Sequence, residues 1–290
     1  MYDNFILRRT ENGNIAGYIW PLDNPKLVVC IVHGIGEYAG RYDRIATALN
    51  EQNIAVVSMD LRGHGLSMNK RGHCAPREDV LDDVTELISF AERKYLNVPI
   101  VLYGHSMGGN IVLDYRCRGW SNSVPVGYIV SAPWIRLVQA MPKALVSTVK
   151  VASKLLPDLT IGSRVDESKL GNPERVGNYN NHPMIHTQIS LETAYEGYSV
   201  GKAIEDGTIE DNGNAKKIPM LLMHGSDDMI CSIEGSRATN ERLVADGQPI
   251  EFVEWPGFYH EIHNGGPDSQ GDEVIEKIIH WLDKLVFTLS

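Results

Sequence analysis

Residues 99–109, PIVLYGHSMGG, constrain the fold more than any other stretch of the chain. An apolar, β-rich run (99–103) meets Gly104-His105-Ser106-Met107-Gly108, and an amphipathic stretch (107–118) follows. Strand, tight turn and helix form the setting in which G-x-S-x-G lifts a serine hydroxyl off a sheet. Gly104 and Gly108 leave room for a strained turn. The helix N-terminus beneath Ser106 favours developing negative charge. A chance glycine-rich turn would lack these flanks.

The same rhythm runs through the chain. Short β-rich runs occur at 5–9, 15–20, 26–32, 54–59, 99–103, 126–131, 219–223 and 250–255. Amphipathic stretches lie between them at 42–51, 78–95, 107–118, 235–246 and 272–287. The first two runs, joined around Asn12-Gly13, read as a β-hairpin. The rest reads as strand–helix–strand, which implies a mostly parallel sheet with helices on both faces. Residues 134–201 break the rhythm and show no strand of their own. Within them, 142–156 reads as a helix with Pro142 at its first position. Val138, Met141, Leu145, Val149, Ala152 and Leu156 fall on one face, and Lys143, Ser147, Lys150 and Lys154 on the other. Gly, Asn and Pro crowd 171–183 and mark a loop. We read 134–201 as a cap inserted into a core made of 1–133 and 202–290.

Composition narrows the class. At 290 residues the chain can bury a sizeable core. A hydrophobic fraction of 43% and a charged fraction of 22% exclude disorder and coiled coil. The net charge of −10 argues against a nucleic-acid partner. Four dispersed cysteines (Cys30, Cys74, Cys117 and Cys231) form neither a disulfide framework nor a zinc ribbon, and point to a reducing compartment. The N-terminus has no apolar signal region, and no run of about 18 apolar residues occurs. The expectation is a soluble cytoplasmic protein.

A serine hydroxyl needs a base, and the base needs an orienting carboxylate. On this kind of scaffold the chain order is serine, acid, histidine. Asp227 and Asp228 end a strand in PMLLMHGSDD, and His260 and His263 follow another in WPGFYHEIHNG. An anion-stabilising site takes one donor from the residue after the nucleophile, Met107, and one from the loop after an earlier strand. There Ile35 stands between Gly34 and Gly36, which let the backbone turn its N–H inward.

Other patterns have plainer readings. GIGEYAG with Asp60, and Tyr198-x-x-x-Lys202, imitate a dinucleotide-dependent reductase, but the glycine spacing is wrong and GHSMGG would be left idle. The turn at Asp60-Leu-Arg-Gly-His-Gly reads as structural. His260 and His263 have no partner at metal-ligand spacing, so no metal is expected. His182 and His186 read as surface residues, and Cys231 as a buried thiol. The lysine face of 142–156 reads as solvated; attraction to anionic headgroups is its alternative, which leaves room for transient membrane-surface contact through the cap.

HGIGEYAGRY, DLRGHGLS, GHSMGG, HGSDDMIC and GFYHEIHNG together resemble the monoacylglycerol lipase and lysophospholipase-like branch of the α/β-hydrolase superfamily. The resemblance covers nearly the whole chain, with LLPDLTIG and YNNHPMI similar to cap segments. It implies an α/β-hydrolase fold of about eight mostly parallel strands with a helical cap. It implies Ser106 as nucleophile, Asp228 as triad acid, His260 as base, and Ile35 and Met107 as oxyanion-hole donors. It places Glu37, Arg41 and His263 toward the glycerol end of a substrate, with the cap Tyr179 nearby. One departure is Ile35, where the family often has a smaller residue. The implied activity is hydrolysis of a small lipid ester, a monoacylglycerol, without metal or cofactor. A lysophospholipase and a short-chain carboxylesterase are the near alternatives. A peptidase, an acyltransferase and a non-catalytic binding protein are the more distant ones.

Overall fold

The computed structural model describes residues 1–11, 13–162 and 166–289. Strands β1 (Asp3–Thr10) and β2 (Gly13–Trp20) pair antiparallel, as the hairpin reading requires. Asn12, expected in its turn, lies outside the described residues. There follow β3 (Leu27–Val32), α1 (Asp43–Glu51), β4 (Ile54–Met59), α2 (Arg77–Lys94), β5 (Ile100–His105), α3 (Met107–Arg118) and β6 (Gly127–Ser131). An insertion then carries α4 (Lys143–Leu155), β7 (Thr160–Gly162), α5 (Pro173–Val176), β8 (Gln188–Ser190) and α6 (Leu191–Asp206). The chain returns through β9 (Met220–Gly225), α7 (Ile233–Ala245), β10 (Ile250–Trp255) and α8 (Asp272–Leu289).

Eight strands form one sheet in the order β1-β2-β4-β3-β5-β6-β9-β10. From β4 to β10 every neighbouring pair is parallel. The run in β3 is apolar throughout because both of its faces are covered. Val28, Cys30 and Val32 join a cluster with Val84 and Leu87 of α2 and Ile111 of α3. Leu27, Val29 and Ile31 join another with Ile45 and Leu49 of α1 and Ile278 and Leu282 of α8. Period-two alternation thus sorts one hydrophobic run onto two helical layers.

This order places the site. The chain leaves β3 for β4 on one side, then returns to β5 on the other. Neighbouring connections therefore diverge between β3 and β5, and a crevice opens beyond the carboxyl ends of these strands. The loops after β3 and β5 flank that crevice.

The insertion departs from its sequence reading in four ways. It has strands: β7 and β8 pair antiparallel, apart from the main sheet. Three residues are too few for an alternation to show. Pro142 precedes the first helical residue of α4 instead of occupying it, with an extended ψ of 139°. The stripe on α4 is not fully covered, since Leu145 and Leu156 are exposed while Ser153 is buried. The side chain of Lys143 lies outside the described residues. Helix α6 runs through position 201 and ends at Gly207, whose φ of 71° suits a glycine cap. Asn110 of α3 donates its amide to Trp134 O (2.8 Å) and Gly197 O (3.1 Å), which ties both ends of the insertion to the core. Among the described residues, no helix is long and apolar enough to cross a membrane.

Candidate active site

Ser106 sits between β5 and α3 with φ 56° and ψ −118°, a strained pair for a non-glycine residue. The turn is held by Ser106 N–H donating to Ser131 O (3.0 Å) and Trp134 N–H donating to Ser106 O (2.9 Å). Gly108 is required by close approach: a Cβ there would meet Val32 O at 2.1 Å.

His260 Nε2 lies 2.8 Å from Ser106 Oγ, and His260 Nδ1 lies 2.7 Å from Asp228 Oδ2. Asp228 Oδ1 accepts the N–H groups of Ile230 (2.8 Å) and Cys231 (2.9 Å). Burial alone would push the Asp228 carboxyl up. The neighbouring His260 and hydrogen bonding from His224 and His260 outweigh it and hold the group well below the usual carboxylate range. Burial opposes protonation of His260, but the Asp228 charge prevails and raises its pKa. Asp227 is exposed and accepts from Ser226 Oγ. His263 is buried 5.4 Å from His105 between ring centroids and stacks on Tyr42. Asp228 and His260 are thus the members of their pairs in line with Ser106.

Gly36 has φ 73°, and a Cβ on Gly34 would meet Glu37 Oε1 at 2.4 Å and Ser106 Cβ at 3.0 Å. The loop carrying Ile35 therefore passes against Ser106. Met107 opens α3, where no preceding turn supplies an acceptor for its N–H. Glu37 Oε1 accepts the Gly34 N–H at 3.1 Å, and Arg41 Nη1 donates to Glu37 Oε2 at 2.7 Å. Arg41 also grips Glu261 and stacks its guanidinium 4.5 Å above the Tyr179 ring. Burial drives the Glu37 carboxyl upward, whereas Arg41 overcomes burial at Glu261 and holds it low. Burial lowers His263 to about 4.

On its apolar side Ser106 opens into a cleft of about 410 Å³ lined by Ile35, Leu137, Met141, Ile161, Met229 and Ile230, among others. Cys231 also borders it, with a buried thiol pushed well up by desolvation. Leu145 and Val149 are absent from this lining. His182 and His186 are not free surface residues. His182 stacks on Tyr38 and hydrogen-bonds its hydroxyl at 3.2 Å. The backbone N–H of His186 donates to Gly36 O at 3.1 Å. The insertion thus grips the loop beside Ser106. Asp60 is a turn anchor, accepting from Ala39 N–H, Leu66 N–H and Tyr18 Oη. Lys202 pairs with Asp206 on the outside of α6.

The sequence reading missed Glu261, His224 and Asn110. Glu261 stands inside GFYHEIHNG, but its partner Arg41 is 220 positions away. His224 lies 3.1 Å from Asp228 Oδ2 and only four residues before it, so its spacing was the one available signal.

Residues 23–266 match the serine aminopeptidase S33 family. Mouse monoglyceride lipase is 31% identical over 91% of this chain and 85% of its own. The chain belongs to the α/β-hydrolases, in their monoglyceride lipase-like branch. As such it is a serine ester hydrolase. The solved structure of a soluble variant of Saccharomyces cerevisiae monoglyceride lipase, in complex with a substrate analogue, superposes on this hydrolase with a TM-score of 0.80. It is 25% identical and covers 98% of this chain and 94% of that one. An uncharacterized abhydrolase domain-containing protein of Dictyostelium discoideum is 29% identical over 92% of this hydrolase, which spans 27% of that relative's length.

Proposed function

We propose that this hydrolase cleaves a monoacylglycerol to glycerol and a free fatty acid through an acyl-enzyme. Ser106 Oγ attacks the ester carbonyl while its proton passes to His260 Nε2. Asp228 holds the Nδ1–H and stabilises the imidazolium. The N–H groups of Ile35 and Met107 receive the oxyanion. The C–O bond to glycerol breaks as His260 protonates the leaving oxygen. Water then gives a proton to His260 and attacks the acyl carbon, and Ser106 leaves with that proton.

The acyl chain lies in the apolar cleft, with residues 134–201 as its cap. The alcohol faces the polar cluster of Glu37, Arg41, His263 and Tyr179. The observation that carries this reading is the unbroken Ser106–His260–Asp228 hydrogen-bond line at the base of an apolar cleft. The cap also meets the lipid surface on which such substrates reside. Val151 (60% exposed) and Leu155 (74%) stand out from α4 beside Lys150 and Lys154. All four cysteines are free, which agrees with a cytoplasmic setting.

A substrate panel tests the assignment: a monoacylglycerol, a lysophosphatidylcholine, a short alkyl ester and an aminoacyl amide. The monoacylglycerol should be turned over fastest. Ser106→Ala should lower its turnover by about 10⁴–10⁶. A faster lysophospholipid or amide would move the substrate class accordingly. Near-normal turnover by folded Ser106→Ala protein would remove the nucleophile.

A further inference from the structure

Glu261 has no part in the steps above, yet it directly follows His260 and is 1% exposed. Both carboxylate oxygens grip Arg41, Oε1 to Nη1 at 2.6 Å and Oε2 to Nη2 at 2.9 Å. Asn264 Nδ2 donates a further bond to Oε2 at 2.6 Å. The backbone N–H of Glu261 donates to Leu170 O at 2.6 Å, on the insertion. Arg41 in turn donates Nη1 to Glu37 Oε2 at 2.7 Å, and Glu37 Oε1 accepts the Gly34 N–H at 3.1 Å. A continuous line of bonds therefore runs from the residue after His260 to the residue before Ile35.

We infer that Glu261 is a positioning residue: through its two-pronged grip on Arg41 it fixes the Gly34–Glu37 loop relative to His260, so that the base and the oxyanion donor keep one mutual geometry. The inference rests on the proposed roles of His260 and Ile35. The guanidinium fork is planar and rigid, so a bidentate pair sets angle as well as distance, unlike a single ammonium contact. Stability alone is a poor reason to bury two carboxylates around one guanidinium, because apolar side chains of similar volume often stabilise as well. Geometry is the better reason here, because both ends of the line are covalent neighbours of proposed reacting groups. A displacement of about 1 Å at such groups costs on the order of 10²-fold in rate.

The test compares kcat and KM per folded molecule for Glu261→Ala and Glu261→Gln, on a monoacylglycerol and on a water-soluble alkyl ester. In Glu261→Ala, kcat should fall about 10²-fold on both substrates by the same factor, with KM for the alkyl ester unchanged. Glu261→Gln keeps the shape and one acceptor for Arg41, so it should recover part of the loss. Unchanged kcat on both substrates with a lowered Tm would make the pair a stabilising contact only and overturn the inference. A KM increase confined to the monoacylglycerol, with kcat unchanged on both substrates, would overturn it too, by limiting Glu261 to holding Arg41 toward the glycerol. If Glu261→Ala does not fold, Glu261→Gln decides by the same readouts. Ser106→Ala run alongside tests hydrolysis itself, and activity surviving it would sink the acyl-enzyme reading instead.

Discussion

A carboxylate displaced by one residue would leave His260 without its partner. Asp228 is buried and takes two backbone N–H bonds on one oxygen while the other meets His260. Asp227 points to solvent. Asp228→Asn should therefore lose about 10⁴ in kcat, and Asp227→Asn only a few-fold at most. If Asp227→Asn is the inactive variant, the assignment is wrong. The pH profile carries a second expectation. In the proposed mechanism only neutral His260 accepts the Ser106 proton, and its pKa is raised above the ordinary 6.5. The acid limb of kcat/KM should accordingly fall away through a value above 6.5. Removing the Asp228 charge lowers that pKa, so the limb of the residual Asp228→Asn activity should move to lower pH. A limb that stays in place would belong to another group. Ser106 was legible at this scale because its glycine flanks are local. The choice between Asp227 and Asp228 was carried by family resemblance, since spacing alone does not reveal burial. Glu261 was illegible because a charge finds its partner through the fold.

At the scale of elements, the insertion contributes both a grip and an exposed face. Its loop holds Tyr38 and Gly36, while α4 turns Val151 and Leu155 outward. Half-burial of those two side chains in lipid is worth about 2 kcal/mol together, a factor of about 30 in binding. Val151→Ser with Leu155→Ser should weaken co-sedimentation with anionic phospholipid vesicles by about that factor, with kcat/KM on a water-soluble ester unchanged. Vesicle binding that survives the double change would remove α4 from the contact. The eight strands of the sheet were legible because each is a β-rich run between turn residues or helical patterns. The strands β7 and β8 were not, being three residues long. The face of α4 was misassigned in part because an amphipathic stripe shows which residues are apolar, not whether a neighbour or solvent covers them.

Across the whole molecule, the groups of the proposed mechanism are gathered from distant parts of the sequence. The loop with Ile35 follows β3, Ser106 follows β5, Asp228 follows β9 and His260 follows β10. Parallel pairing through β3, β5, β6, β9 and β10 brings these ends to one rim. In urea, ester hydrolysis should therefore not persist beyond the loss of far-UV circular dichroism, and the two midpoints should coincide if unfolding is two-state. Activity outlasting the sheet signal would contradict this dependence. The chain order of serine, acid and histidine was legible from the start, because motif and topology share one convention in this fold. Exact distances waited on the sheet, which sets them.

That dispersal along the chain also fixes what the protein can lose and still work. The four loops span from before residue 36 to beyond residue 259, and their relative placement comes from strands that pair across the entire interval. The protein therefore contains no smaller machine. A break that parts two of these strands disarms all of the chemistry together, and catalytic turnover becomes a census of intact molecules.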